Sequence, residues 1–109
     1  MKPKLHVARN ISELLDLLIS MLLSAPKFVD KTGYFPYMNL DHIFRELHEG
    51  LNHNRPTLGE DRYHQLMRMS DRMRAHFEAD PENKTGETRK GRDIIYEMED
   101  IVKQVRRNS

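Results

Sequence analysis

Four stretches of the chain place apolar residues at helical spacing, and none alternates with period two over a useful length, which predicts an all-α protein. The first stretch opens with Asn10 and Glu13 in a capping-box pattern and runs over 11–24, ahead of Pro26. Its polar residues Glu13, Asp16, Ser20 and Ser24 form one narrow stripe, and Ile11, Leu14, Leu15, Leu17, Leu18, Ile19, Met21, Leu22 and Leu23 fill the rest of the wheel. So wide an apolar circumference demands cover on most sides. A central position in the monomer or a homodimer through this helix would supply it.

The second stretch, over 40–52, begins at Asn39 or Asp41. It gathers Leu40, Ile43, Phe44, Leu47 and Leu51 on one face, with Asp41, His42, Arg45, Glu46, His48 and Glu49 expected to face away. The third, over 58–79, reads as opened by a Thr57 and Glu60 capping box and closed by Asp80-Pro81, with Tyr63, Leu66, Met67, Ser70, Met73 and Phe77 inward. The fourth, over 87–107, has Ile94, Ile95, Met98, Ile101, Val102 and Val105 at helical spacing and pairs Glu99 with Lys103 four residues on. Short second and third connections favour hairpins, so the expected architecture is an antiparallel four-helix bundle forming one domain over 1–109. The connection over 25–38 is long for a bundle.

Composition narrows the classes. The chain has 109 residues, 38% of them hydrophobic and 32% charged, which suits a single globular domain able to bury its own core. With no cysteine, disulfide scaffolds, thiol nucleophiles and thiolate metal clusters drop out, in keeping with a reducing, cytoplasmic setting. The apolar run around Leu17–Ala25 falls short of the roughly 20 residues that cross a bilayer, and Glu13 and Asp16 spoil its likeness to a signal peptide, so no membrane partner is expected. Lys plus Arg number 18 against 17 acids, and no segment is strongly polarised, which counts against a dedicated nucleic-acid binder.

Candidate chemistry is sparse. Residues 86–93, GETRKGRD, resemble a phosphate-binding loop in their glycine spacing, but Arg92 and Asp93 stand where the lysine and hydroxyl belong and no strand precedes them. What survives is an anion or phosphate contact at Arg89, Lys90 and Arg92, basic residues in the first turns of a helix where the dipole disfavours them. The six histidines lack metal-ligand spacing and read as a solvated polar face, so no metal and no cofactor is expected. Arg72 and His76 share a helix face without a further catalytic partner, and no nucleophile elbow is present, so an enzyme is not expected. Arg74 falls on the apolar stripe of the third helix, where it must snorkel or pair. Gly91 falls on that of the fourth, where it would admit another backbone. Met67 and Met73 read as core and Met69 as surface.

The strongest functional signal is the first connection, with Phe28, Tyr34, Phe35 and Tyr37 among Pro26, Gly33 and Pro36. These rings either cap the bundle or present a rigid amphipathic surface to a partner. By elimination, the expected function is that of a small cytosolic protein-binding module: an adaptor, an inhibitor or an immunity-type antidote. Tyr34, Phe35, Tyr37 and Met69 are its expected partner-binding residues. The alternative is a nucleic-acid-linked regulator using Arg89, Lys90, Arg92, Lys103, Arg106 and Arg107.

Overall fold

The structure is a computed structural model that describes residues 7–25 and 39–107. Among them are five helices and no strand: α1 (Ile11–Ser24), α2 (Leu40–His53), α3 (Arg55–Leu58), α4 (Glu60–Ala79) and α5 (Glu87–Arg107). Tyr34, Phe35 and Tyr37 lie outside the described residues.

The helix starts follow from side-chain chemistry. Asn10 is extended and its Oδ1 accepts the Glu13 N–H at 2.9 Å, while its amide donates to the Glu13 carboxylate at 3.3 Å. At α2 it is Asn39 rather than Asp41 that caps, accepting the His42 N–H at 2.9 Å. The third start departs from expectation. Pro56, suited to a first turn, sets off the separate turn α3, and Thr57 sits inside it, donating its N–H to the Asn54 carbonyl. Gly59, at φ +86°, then redirects the chain into α4. Glu60 does not fold back as a cap, because Arg55 engages both its oxygens at 2.7 and 2.6 Å.

Asp80 closes α4 and organises the connection to α5. Nearly enclosed, it accepts N–H bonds from Lys84 at 2.6 Å, Thr85 at 3.1 Å and Thr88 at 3.2 Å, and the Thr88 hydroxyl donates to its carbonyl. Burial alone would raise this carboxyl. The backbone donors of Lys84, Thr88 and Thr85, with the Thr88 side chain, outweigh it and hold the group at about 2.

The core runs through all five helices, with Leu14, Leu18 and Met21 meeting Phe44, Leu47, Leu51, Leu58, Leu66, Met73, Phe77, Ile95, Met98 and Val102. α5 packs most extensively, against α4 on one flank and α1 on the other, while α2 leans on α4 and α1. Gly91 does serve packing, but it admits a ring rather than a backbone: a Cβ there would lie 2.5 Å from the Phe77 ring. Arg74 pairs with Asp41 and Glu78 and lies over the Phe44 ring, 5.6 Å from its centroid. The acids raise its pKa, Glu78 foremost.

Several side chains sit differently from the sequence reading. Met69 is 7% exposed and belongs to the core, while Met67 is only half-buried. The core-facing stripe of α4 is centred on Leu66 and Met73, and Met69 lies three residues from the first and four from the second. His42 and Glu46, expected outward on α2, are both buried and lie 3.7 Å apart. Glu99, expected to pair on the surface with Lys103, is 7% exposed. Around α1 the cover is incomplete, leaving Ile19 41% and Leu23 80% exposed.

Candidate functional site

Two of the sequence candidates converge in a cleft of about 240 Å³ between α4 and α5. Arg72 and His76, one turn apart on α4, meet Lys90, Asp93 and Glu97 of α5 over the floor of Ile94. Glu87 joins the two helices, accepting from Lys90 Nζ at 2.9 Å and lying 2.7 Å from His76 Nδ1. These partners, Lys90 first and His76 second, lower the Glu87 pKa. Because Asp93, Glu97 and Glu87 offset Arg72, Lys90 and His76, the cleft offers no net positive field to an anion. It reads as a polar seam clamping the start of α5 to the end of α4.

The basic trio of α5 diverges. Successive residues turn by about 100° around a helix, so Lys90 faces α4, Arg89 faces outward and Arg92 turns toward α1. There its Nη2 reaches the Ala25 carbonyl, at 3.5 Å, where α1 leaves unbonded C=O groups. Arg92 is thereby a C-terminal cap for α1.

A second cleft, of about 290 Å³, opens where α1 begins and α5 ends, lined by Arg9, Ser12, Asn54, Thr57 and Arg106 among others. Its buried amide is committed to structure: Asn54 Nδ2 donates to the carbonyls of Ala8 and Gly50 at 3.0 and 2.8 Å. The histidines are likewise engaged more than a solvated face predicts. His48 lies 3.0 Å from the enclosed Ser70 hydroxyl, a pair linking α2 to α4, and His64 lies 3.3 Å from Glu60. Ser70 is fully buried in this pair and His48 partly so. Among the described residues no three histidine, aspartate or glutamate side chains gather as a metal site would require, and no helix is long and apolar enough to cross a membrane.

The surface feature that stands apart is the seam between α1 and α5. The large hydrophobic side chains exposed among the described residues are Ile19 and Leu23 on α1 and Tyr96, 54% exposed, on α5. Arg92 against Ala25 at one end, and Arg106 beside Asn10–Ser12 at the other, set the register of the two helices. Midway between these contacts, residue 99 comes level with residues 18 and 19. The wide apolar circumference of α1 already implies that residues such as Ile19 and Leu23 need cover beyond the other helices, whereas Tyr96, one residue off the clean stripe of α5, gives no such signal. For all three, the offset from the buried positions Leu18, Met21 and Ile95 was a further signal.

Compared with family models, with curated proteins and with solved structures, the chain matches none.

Proposed function

We propose that the chain is a small cytosolic helical module that acts by protein–protein contact, as an adaptor, an inhibitor or an immunity-type antidote, and not by catalysis. One observation carries this reading: Ile19, Leu23 and Tyr96 stand exposed along one pair of packed helices. Single exposed leucines are ordinary, but three large apolar side chains along one seam mark a place where burial is still to be gained. Tyr34, Phe35 and Tyr37 follow α1 directly in the chain and are the aromatic contribution this reading assigns to the same partner.

The scaffold in this reading is an antiparallel four-helix bundle of α1, α2, α4 and α5. Its support is the order of contacts: Asp41 with Arg74, His48 with Ser70 and Asn52 with Tyr63 between α2 and α4. Asn54 with Ala8, His76 with Glu87 and Arg92 with Ala25 supply the other edges. A homodimer through α1 is the second occupant the exposed leucine allows.

The test is a photo-crosslinking amino acid at position 23, activated in the native cell. The expected result is an adduct with one discrete protein, lost when Ile19 and Tyr96 are changed to serine. An adduct with a second copy of the chain selects the homodimer. No protein adduct, together with nucleic-acid binding that falls steeply with salt, would overturn the reading in favour of a regulator using Arg89, Lys90, Arg92, Lys103, Arg106 and Arg107.

A further inference from the structure

Among the described residues, Glu99 is a buried charged side chain without a partner. Other buried polar side chains are satisfied: Asp80 by backbone donors, Ser70 by His48, Asn54 by two carbonyls and Thr88 by Asp80. Among the described residues no hydrogen bond or ion pair reaches Glu99, though it is 7% exposed. Arg92, Lys103 and Arg106 stand on the same side of α5, and none of them pairs with Glu99. Arg92 donates to the Ala25 carbonyl, and Lys103, one turn on from Glu99, forms no ion pair with it. The carboxylate is not sealed, since Arg92 Nε is the fully enclosed side-chain polar atom without a partner among the described residues. It therefore meets solvent through a narrow opening.

That opening lies in the α1/α5 seam. Glu99 is level with Leu18 and Ile19 in the register set by the two ends of the helix pair, and Tyr96 is its neighbour three residues back on the same helix. An uncompensated carboxylate held in an apolar wall is costly, and a cation brought to it recovers that cost. Ile19, level with Glu99, Leu23, one turn further along α1, and the Tyr96 ring, one turn back on α5, are all exposed. A ring face and a carboxylate together fit a guanidinium or ammonium head, and the aliphatic side chains fit its stem and apolar neighbours.

We infer that the α1/α5 seam takes a protein segment bearing a lysine or arginine flanked by apolar residues, with Glu99 receiving the cation and Ile19, Leu23 and Tyr96 the flanks. This rests on the contact reading above and names the chemistry of the partner.

A random twelve-residue peptide library, selected on the full chain, tests it. Selected peptides are expected to carry a basic residue beside leucine, isoleucine or phenylalanine, and to shift the amide resonances of residues 15–23 and 95–103. Glu99→Gln should weaken them by about tenfold or more, the scale of one charge-assisted hydrogen bond, without lowering the melting temperature. Replacing the peptide's basic residue by norleucine should cost as much on the parent chain, a measurement independent of how the variant folds. Peptides that bind the seam with no basic preference, or equally to Glu99→Gln, would overturn this inference and leave the contact reading standing. Absence of any seam-binding peptide would overturn both.

Discussion

Gly91→Ala would drive a methyl group into the ring of Phe77. A Cβ at this position lies 2.5, 2.7 and 2.9 Å from Phe77 Cε1, Cζ and Cδ1, where carbon atoms ordinarily rest about 3.5–4.0 Å apart. The ring must therefore retreat by about 1 Å. It has nowhere open to go, being fully enclosed. Overpacking costs about 1–3 kcal/mol, and three ring atoms in conflict place this case near 3. Alanine returns about 1 kcal/mol of helix propensity. The net is a loss of about 2 kcal/mol, which for a domain of this size lowers the melting temperature by about 8 °C. Thermal and urea unfolding of the variant measure it, with an unchanged urea slope marking a change in stability alone. Gly50→Ala is the control: its Cβ would meet Ala8 Cβ at 3.3 Å and Leu14 Cδ1 at 3.4 Å, contacts that small adjustments relieve. That variant should stay within about 1 kcal/mol of the parent. Adding Phe77→Leu to Gly91→Ala should give a favourable coupling of about 1 kcal/mol. A Gly91→Ala protein that melts at or above the parent temperature would refute the close approach of α4 and α5.

Other outcomes follow from the same contacts. Folding lowers the Asp80 carboxyl from 3.8 to about 2, so its contribution is present above about pH 4 and is lost as the pH falls toward about 2. Asp80→Asn should melt lower at neutral pH and show a shallower acid dependence over that window; a parallel acid profile would contradict it. Met69→Ala should cost about 2–3 kcal/mol and Met67→Ala less, by chemical denaturation, since Met69 is the buried one of the two. Leu23→Ser, at an 80% exposed position, should change stability by under about 0.5 kcal/mol while weakening any partner capture, and a collapsed melt would show the residue to be structural.

Local chemistry in the sequence determined a good deal of this protein. Asn10 and Asn39 fix two helix starts because a short side-chain oxygen finds the N–H three residues on, and Asp80-Pro81 ends a helix without help from distant residues. The periodic apolar residues of α5 gave its buried face for the same local reason, and Arg74, caught on an apolar stripe, announced its need for an acid. What tertiary structure decided is whatever depends on which helix arrives where. Periodicity puts Met67 in the core and Met69 at the surface, and the approach of neighbouring helices reverses that order. Arg89, Lys90 and Arg92 are adjacent in the chain yet serve three directions, because one helix turns each away from the next and α4 and α1 occupy two of those directions. Glu99 looks like an ordinary surface partner for Lys103 until the assembled fold leaves it 7% exposed, and Leu23 looks like core until the same fold leaves it 80% exposed. Burial is a property of the assembled pair, and a single helix's pattern cannot state which of its margins a neighbour will close.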